Sequence, residues 1–432
     1  MKRVLIITYY WPPSGGPGVQ RCLFFAKYFR EFGWEPVIFT VKNGEYPVID
    51  ESLNSEIPTD LEVLKFPIKE PYKLYKKFTG LKKKDRLKPR IVFEKRKFQF
   101  TQELAIWIRG NFFIPDARMW WIRPSVKFLK RYISEHPVDA IFSCSPPQSV
   151  HLIGKKLAKE FGIPWIADFR DPWTQVDYFN RLKLTSYARK KHEKMEKSVF
   201  EEASLITTTS SSNKKEFKKL TNKRIDTLTN GFDDAGKIFS PIPNSDKFTI
   251  SYLGSLSRER NPNLIWKAIS ELVQYEKGFA EDLKIVLAGP IDPFIFKSLN
   301  RNGLDKYLDF HQYIPHKEIP DFLDKSHLLI LIGVENSLGV IPGKMFEYLY
   351  SGRQILAISP TGSDIESIIN ETQSGINIEF EEEGKIKPFI AGLYQKFQKN
   401  QYPTRDYSTI EKYSRKNITQ ALSERLNEIT GE

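Results

Sequence analysis

The chain has 432 residues, 28% charged and 40% hydrophobic, which suits a soluble globular protein of two domains rather than one core. Its two cysteines, Cys22 and Cys144, exclude a disulfide framework, and no apolar run reaches the ~18 residues that suggest a membrane span. The net charge of +13 is uneven: residues 65–97 hold fourteen Lys or Arg against three acidic residues, a local excess of +11.

The opening run, residues 3–10, reads as a short buried strand, and residues 11–18 as a turn-forming loop containing Gly15 and Gly16. A helical pattern through Leu23, Phe24, Ala26 and Phe29 ends near Gly33, and residues 35–40 form the next strand. This strand–loop–helix–strand unit builds parallel sheets. Its glycines let a ligand approach the backbone, or simply make a tight turn; their spacing is not the dinucleotide fingerprint. The first strand begins at once, with no secretory leader pattern, so a reducing cytoplasm is the expected setting.

Strands are expected at 138–143, 164–169 and 204–208. The helix opened by Pro146 and Pro147 carries His151, which either binds locally or orients a substrate hydroxyl as a neutral imidazole. Asp168 and Asp171 flank Arg170; one carboxylate is expected in an ion pair, and Asp168 is the candidate to take a proton from an acceptor. The proline-rich stretch 240–244 reads as a linker. Further strands follow at 248–253, 284–288, 308–311, 328–332 and 353–358, with a helix at 263–276 and a last one at 413–429.

After the apolar run 328–332 comes a loop, then Pro342-Gly343-Lys344-Met345-Phe346-Glu347, a helix start. Lys344 and Glu347, three apart, share one face. A helix N-terminus offers N–H groups to an anion, the lysine adds a positive charge, and the glutamate can accept from sugar hydroxyls. That set suits a nucleotide diphosphate carrying a sugar; a surface Lys–Glu pair has the same spacing.

Five segments in order carry a resemblance: the opening strand and loop, Asn230-Gly231-Phe232-Asp233, Leu253-Gly254-Ser255-Leu256, Leu287-Ala288-Gly289, and residues 344–352. They resemble the glycosyltransferases of the two-Rossmann-domain (GT-B) type, nearest to the retaining enzymes of family four. The resemblance covers nearly the whole chain, apart from a basic insertion around residues 64–115. It implies an α/β fold with two Rossmann-like domains facing a central cleft. The expected domains are 1–241 on the acceptor side and 242–405 for the nucleotide sugar, with a terminal helix in 406–432 crossing back to the N-terminal domain.

The resemblance further implies that Arg260, with Arg258 as the alternative, and Lys344 hold the donor diphosphate, and that Glu347 holds ribose. Tyr313 and Ile314 would lie in the base-binding loop, while Gly15, Gly16, Gly254, Ser255 and Gly343 would line the nucleotide sugar. His151 falls where these enzymes often carry a functional histidine. Two positions depart from the pattern: Gly339 stands where a second glutamate is usual, with Glu335 nearby, and Ser255 where an arginine is usual. Both leave the sugar and the anomeric outcome open. No Asp-x-Asp motif is visible, and His311, His316 and His327 lack metal-ligand spacing, so a metal-free mechanism without a cofactor is expected.

The expected activity is transfer of a sugar from a UDP-, GDP- or dTDP-sugar to a glycan or lipid-linked acceptor in surface polysaccharide assembly. The basic, aromatic-rich stretch 65–97 points to an anionic membrane surface, at the inner face of the membrane; nucleic acid is not expected as a partner, since no recognition motif accompanies the charge. The rival readings are a nucleotide-sugar epimerase of the same fold and a non-enzymatic basic scaffold or nucleic-acid-binding protein.

Overall fold

The structure, a computed structural model, describes residues 1–70, 99–176, 179–233, 239–402 and 406–431. The chain divides into two units: Met1–Thr229 with Arg415–Glu432, and Asn230–Ser414. Each is built on one all-parallel sheet.

The first unit contains β1 (Lys2–Thr8), β2 (Trp34–Val41), β3 (Glu62–Phe66), β4 (Ala140–Ser145), β5 (Trp165–Phe169), β6 (Leu205–Thr208) and β7 (Ile225–Thr227), in the spatial order β3-β2-β1-β4-β5-β6-β7. β1 and β4 are buried along nearly their whole length, as expected of strands covered on both faces. The pleat sends alternate residues of β4 and β5 to two cores. Ile141, Trp165, Ala167 and Phe169 pack with the helices Met119–Glu135 and Ser149–Phe161; Phe142, Cys144 and Ile166 pack with the helix Pro17–Tyr28. The last helix, Arg415–Thr430, completes the second core with Ile418, Leu422 and Leu426, spaced by four. Each such buried leucine or isoleucine stabilises the unit by ~1.5–3 kcal/mol relative to exposure.

The second unit contains β8 (Phe248–Leu253), β9 (Leu283–Ala288), β10 (Leu308–His311), β11 (Leu328–Ile332), β12 (Gln354–Ile358) and β13 (Gly375–Ile378), ordered β10-β9-β8-β11-β12-β13. Side chains close the helix ends: Asp292 accepts from Phe294 N (2.8 Å) and Ser363 from Glu366 N (3.3 Å). Both sheets therefore follow the Rossmann order, three strands wound one way and the rest the other.

Three sequence expectations shift. The unit boundary falls at Asn230, not at the proline-rich stretch near 241. Phe232 stacks on Tyr350 (4.8 Å between centroids), Phe239 meets the same ring edge-on (5.5 Å), and Arg353 donates to the Pro241 carbonyl (3.1 Å). Phe232 and Phe239 join the second unit's core before the prolines are reached, and Pro241 itself is bound to that unit. At the other end, Ile410 and Tyr413 remain in that core, so the unit ends at Ser414 rather than 405. The basic insertion does not begin at 64, because β3 pairs with β2 through Phe66. Most of the charged stretch, residues 71–98, lies outside the described residues.

Candidate functional site

In the second unit the winding reverses between β8 and its neighbour β11, and ligands in such sheets bind beyond the strand ends at that reversal. β8 ends at Leu253, followed by Gly254 with φ of 108°. The β9 end approaches at Gly289, whose φ is 122°; a Cβ there would lie 2.6 Å from the Gly254 carbonyl oxygen. Gly254 N donates to Ala288 O (2.7 Å). Only glycine permits this contact of two backbones at the mouth of the site.

After β11 the loop leads to the helix Lys344–Ser351, with Gly343 as its first flanking residue. Two of the first-turn N–H groups turn back on the loop: Met345 N donates to Pro342 O (2.9 Å) and Phe346 N to Gly343 O (3.2 Å). The lysine, more than the helix end, is therefore the prominent positive group. Lys344 Nζ donates to Leu253 O (2.7 Å) and lies over the Tyr252 ring, 3.5 Å from its centroid. A Cβ on Gly254 would come within 3.6 Å of it. Although the stem keeps some exposure, the ammonium group is enclosed. Burial pushes its pKa well below the usual lysine range, the nearby Arg260 cation adds to that, and Glu347 opposes it.

The structure thus brings together Gly254, Arg260, Lys344 and Glu347 at the strand reversal. Arg260 is half-buried at the end of a short turn, whereas Arg258 is exposed and stacks on Phe294 (4.5 Å), which engages the alternative cation elsewhere. Ser255 is exposed, and its carbonyl accepts from Tyr252 Oη (2.9 Å). Ile314 packs against the cluster containing Leu253, Met345, Phe346 and Leu349, while Tyr313 is exposed. Gly339 is buried and Glu335 exposed in the preceding loop. Sequence reasoning missed Tyr252 and Tyr348. Tyr252 is the floor under Lys344; Tyr348 accepts from Leu253 N (3.0 Å) and holds the strand end to the helix. The placement of Tyr348 four residues after Lys344 was the available signal.

The first unit treats its candidates differently. Asp168 has no exposed surface. Arg21 Nε and Nη2 each donate to one of its oxygens at 2.8 Å, and Thr207 Oγ1 donates to it at 2.7 Å. The Arg21 guanidinium holds the carboxyl below its usual range in spite of burial. The structure thus commits the Asp168 carboxylate to Arg21 and Thr207, in a buried setting. Arg170 instead pairs with Asp171 (2.9 Å).

His151, the third residue of its helix, is likewise fully buried. Ser143 Oγ accepts from Trp165 Nε1 (2.8 Å) and lies 2.8 Å from His151 Nδ1. Ser143 Oγ and His151 Nδ1 share a buried hydrogen bond, while Nε2 of the ring is buried without a hydrogen-bond partner among the described residues. Burial lowers its pKa to about 3, so the ring is neutral. Gly15 packs against Val48 and Asp50, where a Cβ would lie 2.9 Å from Val48 Cγ1; Gly16, with φ of 90°, has open space beside it.

No protein-family model matches the chain, and no curated protein does. Among solved structures, a glycosyltransferase from Rickettsia africae matches with a TM-score of 0.60 at 13% identity, covering 100% of this chain and 99% of its own. Sucrose-phosphate synthase from Thermosynechococcus elongatus matches at 0.56 and 13%, covering 100% and 96%. HepE of Anabaena, in complex with UDP-glucose, matches at 0.55 and 12%, covering 100% and 97%. These likenesses show the fold: the chain has the two-Rossmann-domain GT-B architecture.

Proposed function

We propose that this protein is a glycosyltransferase that moves a sugar from a nucleotide-diphosphate sugar to a hydroxyl of a glycan or lipid-linked acceptor. The observation that carries this reading is Lys344, enclosed beside Arg260 and Gly254 at the strand reversal of the second unit. Similar architectures bear glycosyltransferase names, and one holds UDP-glucose.

A diphosphate entering between Lys344 and Arg260 supplies the negative charge that two adjacent cations favour, and it favours the charged form of the lysine against the effect of burial. When the bond between the anomeric carbon and the diphosphate oxygen breaks, charge grows on the departing group. Fixed cations stabilise that state more than the ground state, which is what accelerates the step. Glu347, one turn along, accepts from ribose hydroxyls. With these cations at the leaving group, the transfer is proposed to need neither metal nor cofactor, the nucleotide sugar being a co-substrate.

The setting proposed is the cytoplasmic face of a membrane, in surface polysaccharide assembly. The +11 excess in residues 65–97 supports it, as does the lipopolysaccharide galactosyltransferase WaaB, which shares the fold with a TM-score of 0.57 at 12% identity. Among the described residues no helix is long and apolar enough to cross a membrane.

The test is a thermal-shift screen with UDP-, GDP- and dTDP-sugars. A ligand at 100 times its Kd adds ~2.7 kcal/mol, readily seen as a raised midpoint. One nucleotide class should stabilise the protein, with and without EDTA, and Lys344→Ala should abolish the shift. A screen in which no nucleotide sugar shifts the midpoint would falsify the reading.

A further inference from the structure

The helix Gln99–Phe112 is held to the first unit by its inner side. A Cβ on Gly110 would lie 2.7 Å from Leu184 Cδ2, Asn111 Nδ2 donates to the Lys183 carbonyl (3.2 Å), and Asn111 Oδ1 accepts from Thr185 N (2.7 Å). Those contacts fix which way the helix faces. On the side of the helix opposite Gly110 lie Leu104, Ile108 and Phe112, spaced by four, with exposures of 46%, 39% and 63%. Three large apolar side chains in one exposed stripe are unusual on a soluble surface. Just beyond, Trp120 is 51% exposed and rests edge-on against Phe113 (5.4 Å).

Trp120 also opens the exposed face of the next helix, Met119–Glu135. Arg123, Lys127 and Arg131 continue that face at intervals of three, four and four, and the helix has no acidic residue before Glu135. The only acidic residue of the apolar-striped helix, Glu103, is neutralised by Lys183 (3.0 Å). The inner face of Met119–Glu135 is ordinary core: Trp121, Val126, Leu129 and Ile133. Its outer face is therefore cationic, with a tryptophan at the end nearest the apolar stripe.

We infer that the apolar stripe of Gln99–Phe112, with Trp120 and the basic face that follows it, is the surface by which the protein docks on an anionic lipid bilayer. This deepens the proposed membrane setting and rests on it. An apolar stripe inserts at the boundary between headgroups and acyl chains, tryptophan favours that interface, and flanking Arg and Lys attract anionic headgroups. The charge decides the occupant: a protein partner needs no basic rim, and nucleic acid has no use for a projecting stripe of leucine, isoleucine and phenylalanine.

The test uses the full chain and vesicles of phosphatidylcholine with or without 30% phosphatidylglycerol. Ile108→Ser with Phe112→Ser and Trp120→Ser should lower sedimentation with anionic vesicles at least tenfold, with the thermal midpoint near that of the parent. Arg123→Glu with Lys127→Glu should lower it by about fivefold or more for each charge removed, and the loss should grow smaller as salt is raised. Because Cys22 and Cys144 are buried, a Phe112→Cys variant takes an environment-sensitive dye selectively. The dye should shift to the blue on anionic vesicles only. Undiminished binding by the triple variant, or a dye that stays in water while the protein sediments, overturns the inference. So does loss of binding to a DNA or RNA duplex in its place. Nucleotide-sugar binding, measured without vesicles, is unaffected by these variants, so failure here leaves the donor site standing and failure there leaves this surface standing.

Discussion

Each unit buries a charge close to the carboxyl end of its sheet, and the two charges are treated in opposite ways. Asp168 on β5 receives two hydrogen bonds from Arg21 and one from Thr207. Lys344, beside the end of β8, has a carbonyl and an aromatic face for company, a second cation, Arg260, nearby, and only the more weakly acting carboxylate of Glu347 to oppose it. A buried charge with all its partners belongs to the architecture. A buried cation set beside another cation raises the free energy of the unliganded fold, which an anion relieves. Burial alone, or a suggestive residue type, does not tell the two apart; the identity of the neighbours does.

The contrast breaks most readily at Asp168. Asp168→Asn leaves the buried Arg21 without its countercharge and should destabilise the first unit by ~3–5 kcal/mol, measured by urea unfolding at pH 7. A loss below 1 kcal/mol would mean that the pair does little for the fold and would favour Asp168 as the base. Lys344→Ala should do the reverse. Turnover should fall ~10²-fold or more, about 2.7 kcal/mol, while the thermal midpoint of the free protein stays level or rises. Equal damage to folding and turnover would make Lys344 a structural residue like Asp168.

His151 gives a third comparison through pH. Its folded pKa, about 3, lies below the usual value of 6.5, so under pH 6.5 the unfolded chain binds a proton that the folded one does not. Its contribution is complete above 6.5 and is lost as pH falls toward 3, at ~1.4 kcal/mol per unit. His151→Gln should flatten the fall in unfolding free energy between pH 6 and 4. An unchanged slope would mean that the ring takes up protons in the folded state. The smallest effect is expected at Glu347. Glu347→Gln should weaken donor binding by ~1 kcal/mol, and less for a 2′-deoxyribose donor, because one hydroxyl contact is already missing. Equal losses for ribose and deoxyribose donors would remove Glu347 from the ribose.

Much of this was legible in the residues themselves. The continuous apolar run 328–332, too short for a buried helix, reads as a strand covered on both faces, and the alternation of such runs with helical stretches points to parallel sheets. Lys344 and Glu347 could be placed on one helix face from spacing alone, because helical geometry is local. The tertiary structure decided what spacing does not reach. Asp168 and Arg21 are 147 residues apart, and only the packing of the helix Pro17–Tyr28 over β4 and β5 brings them together. The same holds for Phe232 on Tyr350, which moved the unit boundary, and for the exposure of Leu104, Ile108 and Phe112, which depends on the opposite side of their helix packing down at Gly110. Periodicity states that a face exists; only the assembled neighbours state whether it is covered, and a charge acquires its meaning from groups that the chain brings near it by folding.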